Sequence, residues 1–247
     1  MLIPIKFLVE KYKLNINGIS HFGAHLGQEI KSYLDCGVKN IHLFEPQAEI
    51  FEALVENFKE FDLNFYKFGL GSESTIATLN SEKQNEGKSA SILNPLIHKE
   101  LYPEIVFDKE EQIEIKVYDS LKIKNVNFLN LDIQGFELEA LKGCKETLKN
   151  VDYIYTEVNR DYLYENSCLI TDLDKYLNLY NFIRTETKWG KDGLLPWGDA
   201  FYIKENKISL VKKILFKSKN SINTKNIYFK ILVFYINLKL SVKKILS

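Results

Sequence analysis

Three carboxylates in this chain stand where an apolar segment ends, and each could do chemistry there. Glu45 closes Ile41-His-Leu-Phe-Glu-Pro46, Asp132 lies in Asn127-Phe-Leu-Asn-Leu-Asp-Ile-Gln-Gly-Phe-Glu137, and Glu157 lies in Tyr155-Thr-Glu-Val-Asn-Arg160. In open α/β sheets, ligands collect at the carboxyl ends of the strands. Upstream of all three runs Ile19-Ser-His-Phe-Gly-Ala-His-Leu-Gly27, an apolar segment entering a small-residue turn. Glu45 follows Gly23 by 22 positions, where an acid can hold both hydroxyls of a ribose. The glycine spacing is G-x-x-x-G, not the G-x-G-x-x-G that receives a pyrophosphate. A nucleoside without phosphates fits this turn better, and S-adenosylmethionine is such a ligand.

Asp132 could orient or deprotonate an acceptor hydroxyl, or hold a sulfonium. It could equally cap the helix that follows. Gly135 permits close backbone approach, and Gln134 adds polar reach. Glu157 and Asn159 finish the next strand on the same edge, which suggests a convergent polar site, with a loop salt bridge to Arg160 as the alternative. Trp197-Gly-Asp199 precedes the last strand, and an aromatic and a carboxylate there could flank a sugar ring or simply pack.

His21 and His25 straddle the glycine turn and share no helix face, and no H-E-x-x-H is present, so no metal is expected. His25 is a candidate to point into the ligand pocket. Gly87-Lys-Ser89 mimics the end of a phosphate loop, but the earlier glycine this requires is Glu82. No G-x-S-x-G marks a serine hydrolase.

The elements that must position these residues alternate. An amphipathic helix is expected over 3–14, a strand near 18–22, a helix from Leu26 to Asp35 closed by Cys36-Gly37, and a strand over 40–45. A helix follows to Phe58, then a strand from Asn64 to Phe68 ending at Gly69-Leu-Gly71. Residues 72–125 break the pattern. Thr75–Leu79 and Gln112–Tyr118 read as strands around a polar loop at 80–95, an insertion over the carboxyl edge of the sheet. Val126–Asp132 is the best buried strand. After it come a helix from Phe136 to Leu148, a strand over Val151–Val158, a helix over Leu169–Leu179, and strands at 180–187 and 199–204.

With 247 residues and a 45% hydrophobic share, the chain suits one α/β domain over 1–204 with an extension over 205–247. Net charge is zero but uneven: residues 204–247 hold eleven lysines against one acid, Glu205, and the body is correspondingly acidic. An acidic body with only two arginines argues against a nucleic-acid substrate. Three cysteines without C-x-x-C spacing, no signal peptide and no bilayer-length apolar run lead to an expected cytoplasmic location. The basic, apolar extension is either a helix packed on the body or on a second copy, or an interfacial helix drawn to anionic lipid.

Taken together, HFGAHLGQE at 21–29, FEP at 44–46, NLDIQGFELEALKG at 130–143, YIYTEVN at 153–159 and WGDAFYI at 197–203 resemble the FkbM family of S-adenosylmethionine-dependent methyltransferases. The resemblance implies a class I methyltransferase fold: a Rossmann-like three-layer sandwich on a seven-stranded, mostly parallel sheet, here with the β insertion and the basic C-terminal extension. It implies O-methylation of a small acceptor, with a glycan or natural-product hydroxyl as the expected target. Carried over by position, Gly23, Ala24, His25 and Gly27 line the methionine end of the cofactor and Glu45 binds the ribose, with His21 and Gly69 completing the cofactor set. Asp132 faces the methyl-transfer site as base or orienter, with Glu157 second, and Gln134, Asn159, Trp197 and Asp199 are the expected acceptor contacts. Two positions depart from the family. His21 stands where Asp is common, removing a polar contact to the cofactor, and Ile133-Gln-Gly135 stands for Val-Glu-Gly. Two other classes remain open: a non-catalytic binding module serving glycan assembly, and, more weakly, a nicotinamide-dependent sugar oxidoreductase. Deleting residues 206–247 is expected to abolish sedimentation with anionic vesicles and leave cofactor affinity intact. A truncated protein that still pellets with vesicles, or turns insoluble, favours the packed helix.

Overall fold

The computed structural model describes residues 1–84, 86–210, 212–214 and 216. Most of the basic extension, and with it the choice between its two readings, lies outside the described residues. Among the described residues no helix is long and apolar enough to cross a membrane.

Helix α1 (Ile5–Tyr12) precedes β1 (Gly18–Phe22), α2 (Ile30–Asp35), β2 (Asn40–Phe44), α3 (Ala48–Phe58) and β3 (Asn64–Tyr66). The insertion supplies β4 (Gly69–Leu70), β5 (Thr75–Ser81), α4 (Ile97–Leu101) and β6 (Lys109–Lys116). The second half runs β7 (Phe128–Leu131), α5 (Glu137–Lys142), α6 (Thr147–Asn150), β8 (Tyr153–Asn159), α7 (Ile170–Asn178), β9 (Phe182–Trp189) and β10 (Trp197–Lys204). Seven strands form one sheet in the order β3-β2-β1-β7-β8-β10-β9, with β10 antiparallel to both neighbours. The strand order turns back between β1 and β7, so their carboxyl ends form the crevice where such sheets bind ligands.

Burial on both faces follows the two-residue period of the strands. Ile19, Leu43, Phe128, Tyr153, Tyr155 and Phe201 face one layer together with Leu8, Tyr33 and Leu54 of α1, α2 and α3. Phe22, Phe44, Leu129, Leu131, Ile154 and Tyr202 face the other, against Leu141 of α5 and Leu173 and Leu177 of α7. The insertion makes a second sheet, β4-β6-β5.

Several expectations shift. The last strand, expected from residue 199, begins at Trp197, so Trp197-Gly-Asp199 lies within β10 and not ahead of it. The helix expected from Leu26 begins only at Ile30, because His25 and Gly27 have φ of 47° and 82° and hold the turn out of helical backbone. The strand expected over Asn64–Phe68 ends at Tyr66, and the chain then crosses to the small sheet, where Gly69 and Leu70 pair with Ile115 and Lys116. The helix expected over Phe136–Leu148 divides at Gly143, whose added Cβ would lie 2.1 Å from the Gly71 carbonyl oxygen. Asp119 then starts α6 from outside, accepting from the Glu146 N–H at 2.7 Å and from the Thr147 N–H and hydroxyl at 3.0 and 2.6 Å.

Gly143 thus seats the insertion against the main body. Replacing Gly143 by Ala forces that contact apart, and a loss of about 1–3 kcal/mol is expected from overpacking. Chemical denaturation of G143A against the wild type measures it.

Candidate active site

A cavity of about 640 Å³ opens at the carboxyl ends of β1, β2, β7 and β8, under the insertion. Its floor is the seam between β1 and β7. The Asp132 N–H donates to the Phe22 carbonyl at 3.0 Å, and Gly23, at φ 80°, lies so close that a Cβ would sit 2.0 Å from the Asp132 carbonyl oxygen. The N–H groups of Gly23 and Ala24 both donate to the Phe44 carbonyl at 2.9 Å, which ties the turn to β2 as well.

Glu45 leaves the end of β2 into this wall. Its oxygens accept the N–H groups of His25 and Gln47, each at 2.9 Å, so it organises the turn and the start of α3 together. Burial pushes its carboxyl up to about 7 against those two donors. The His25 ring donates through Nε2 to the Glu86 carbonyl at 2.7 Å and accepts from the Gln28 amide at 2.9 Å, joining turn to insertion.

Across the cavity, Gln134 bridges the other two carboxylates. Its amide nitrogen donates to Asp132 Oδ1 at 2.9 Å and to Glu157 Oε2 at 2.8 Å, while its oxygen accepts from the Tyr164 hydroxyl at 3.0 Å. Asp132 is open to the cavity but walled round by protein, and this burial, with the charge of Asp199, pushes it up to about 6. Burial and then the Asp132 charge push Glu157 well above the ordinary carboxylate range, toward its protonated form. Behind them Glu137 accepts the N–H groups of Ile133 and Gly135 at 3.1 and 3.2 Å and so shapes the turn that presents Asp132. Burial pushes Glu137 up to about 7.

The insertion is fastened over this edge at many points. Ser91 donates to the Gln134 carbonyl at 2.8 Å, Gln47 to the Gly87 carbonyl at 3.2 Å, and the Trp197 indole to the Tyr102 hydroxyl at 3.0 Å. The N–H of Leu96 donates to the Leu163 carbonyl at 2.8 Å.

His21, Gly23, His25, Glu45, Gly69, Asp132, Gln134, Glu157 and Trp197 therefore meet in one wall. Four other expected residues lie behind it. Ala24 is packed in the core, and Gly27 faces Phe58, Ile30 and Leu54, whose side chains would lie within 2.9 Å of a Cβ there. Asp199 accepts from the Tyr155 hydroxyl and the Leu2 N–H, and Asn159 is buried on β8 opposite Trp197. Sequence reasoning did not single out Glu29, Gln47, His98, Tyr102 or Glu104, which also line the cavity. Glu29 had a signal, as the acid that ends the glycine-turn motif. The insertion residues had none, since only its long-range fastening brings them over the sheet.

Among the described residues the wall carries five acidic side chains, Glu29, Glu45, Glu104, Asp132 and Glu157, against one lysine, Lys88, which pairs with Glu86, and the Met1 ammonium behind the wall pairs with Glu29. A cavity so short of positive charge suits a cationic ligand, and repels a diphosphate. A nucleoside bearing a sulfonium and an ammonium meets both conditions.

The model of the methyltransferase FkbM domain matches residues 21–184. The chain belongs to the FkbM methyltransferase family. This family is S-adenosylmethionine-dependent, and S-adenosylmethionine is the cofactor of the domain. The 2-O-methyltransferase NoeI of Sinorhizobium fredii is 25% identical over 158 residues, covering 60% of this chain and 65% of that protein. The crystal structure of methyltransferase FkbM from Methylobacillus flagellatus superposes with a TM-score of 0.52 at 14% identity, covering 76% of this chain and 43% of that one. The match to each relative thus spans less than two thirds of that relative's length. The structural likeness confirms the fold, with the seven-stranded sheet expected for this family.

The crowded carboxyls set a pH dependence. Glu45, Asp132 and Glu137 have folded-state values above their unfolded ones, so the folded protein binds more protons between roughly pH 4 and 7. Their contribution to stability is complete below the unfolded values and is lost as pH rises through the folded ones. The urea midpoint of the ligand-free protein is expected to fall from pH 5 to pH 8. Glu137→Gln should flatten that fall, and an unchanged slope would contradict the assignment.

Proposed function

We propose that this domain transfers a methyl group from S-adenosylmethionine to a hydroxyl, and that the acceptor is a sugar. The observation that carries the reading is the Asp132–Gln134–Glu157 bridge, which holds one carboxylate ready to take a proton at the wall of a cation-seeking cavity. S-adenosylmethionine, when bound, supplies an electrophilic methyl on a sulfonium, already an excellent leaving group. The residues then have to orient the acceptor oxygen in line with that carbon and receive its proton.

Asp132 suits the second task. Raised to about 6, it is a stronger base than an ordinary aspartate yet still ionised at neutral pH. The proton moves from the acceptor hydroxyl to the Asp132 carboxylate as the oxygen gains its new carbon. Glu157, pushed toward its protonated form beside it, supports the bound oxygen as a donor rather than competing as a base. Gln134 keeps both in place. Trp197 and Tyr102, joined by their hydrogen bond, offer aromatic faces where the C–H faces of a sugar ring can rest. NoeI, a 2-O-methyltransferase by name, supports a hydroxyl acceptor over a nitrogen or carbon one.

Calorimetry is expected to show S-adenosylmethionine binding to the wild type, and absence of heat at millimolar ligand would favour the non-catalytic module instead. Asp132→Asn is expected to keep that affinity within a few-fold while lowering kcat for labelled methyl transfer to an oligosaccharide by about 100-fold or more. Full turnover in D132N with normal cofactor binding would remove Asp132 as the base.

A further inference from the structure

His21 lies in the cavity wall where the family resemblance leads one to expect an aspartate. Burial pushes its imidazole down to about 4, so at neutral pH it is uncharged. Its Nδ1 lies 3.3 Å from the Tyr33 hydroxyl, which also accepts from the Asn130 amide at 2.6 Å. A neutral ring in this network offers no negative charge to an amino-acid ammonium. That ammonium nevertheless has to come out of water when the cofactor binds, and an unpaired charge in a confined site is costly.

The neighbouring wall residue Glu29 differs in state from the other carboxylates on the sheet side. Glu45, Asp132 and Glu157 are all held toward the protonated form. Burial works to raise Glu29 too, but the charge of His21 in its protonated form at low pH, with the charge and hydrogen bond of the Met1 amino group, outweighs it and holds the carboxyl below its ordinary value. Its geometry is also open to an amine: Glu29 Oε1 accepts a primary ammonium, that of Met1, at 3.1 Å. One such contact uses one of about four lone-pair sites of a carboxylate. Asp199, the remaining acid nearby, is engaged by the Tyr155 hydroxyl and the Leu2 N–H and lies behind the wall.

We propose that Glu29, at the far end of the glycine turn, is the carboxylate that receives the α-ammonium of S-adenosylmethionine in this chain, taking over a charge that His21 cannot supply. Glu29 stands at the entry of α2, in the same cavity wall as His21. A charge-assisted hydrogen bond from an ammonium to Glu29 fixes the amino-acid arm of the cofactor. It leaves Asp132 free for the acceptor.

This assignment rests on the cofactor reading above, and two ligands separate the two. S-adenosylhomocysteine carries the ammonium, whereas 5′-methylthioadenosine shares its nucleoside and thioether but lacks the amino-acid arm. In Glu29→Gln, the dissociation constant for S-adenosylhomocysteine is expected to rise about tenfold or more, while that for methylthioadenosine changes less than about twofold. Adding His21→Asp to Glu29→Gln is expected to restore most of the lost affinity. If Glu29→Gln weakens both ligands equally, or neither, Glu29 is not the ammonium partner. If the wild type binds neither ligand at millimolar concentration, the cofactor reading itself falls. Should circular dichroism show Glu29→Gln unfolded, Glu29→Asp replaces it. Its shorter arm is expected to weaken S-adenosylhomocysteine alone, and parity with the wild type for both ligands would overturn the proposal.

Discussion

The contact between Gly23 and the Asp132 carbonyl joins the two halves of the fold at the point where the site must form. Strands β1 and β7 are adjacent only because the chain reverses its direction of winding between them. Their carboxyl ends can come this close because Gly23 has no Cβ and sits at a positive φ. From that seam the chain diverges twice. One branch carries His25 round to Glu45, and the other carries Gln134 to Glu157. A side chain at Gly23 would push the branches apart and open the wall between the ribose acid and the acceptor acid. The positions of Glu45, Asp132 and Glu157 therefore refer back to one backbone approach.

Strands β1, β2 and β7 were legible in the sequence because each is a short apolar run stopped by a glycine or an acid, and the structure gives them with ends shifted by two residues at most. The start of α2 was not legible. Apolar spacing from Leu26 onward fits a helix, but His25 adopts a left-handed backbone that residue type alone does not announce. The break at Gly143 has a similar origin. Glycine inside a helical pattern is tolerated often enough that only its contact with Gly71 decides the outcome.

The site was legible at its strand ends and obscure everywhere else. Glu45, Asp132 and Glu157 could be placed because a strand end fixes a direction. The bridge that Gln134 makes between two of them could not, because it depends on a positive φ of 52° and on Tyr164 arriving from a distant loop. Helix α4 escaped notice for a related reason. It is five residues long, and the Leu163 carbonyl accepts the N–H groups of Leu96 and His98 at its start. Short helices of this kind draw their stability from tertiary partners rather than from their own periodicity.

The same crowding that fits the cavity for a cation works against the folded state without one. Glu45, Asp132, Glu137 and Glu157 are each raised mainly by burial, so ionising any of them in the folded protein carries a cost. The protein offsets part of this by donating backbone N–H groups to Glu45 and Glu137 and an amide to Asp132 and Glu157. These donors are neutral, so they fix geometry and leave the negative potential standing. A lysine in their place would lower the electrostatic strain and would also occupy the charge that a sulfonium cofactor needs. Amides in place of ammonium groups therefore keep the cavity suited to a positively charged ligand, and a ligand that binds only the folded state stabilises it.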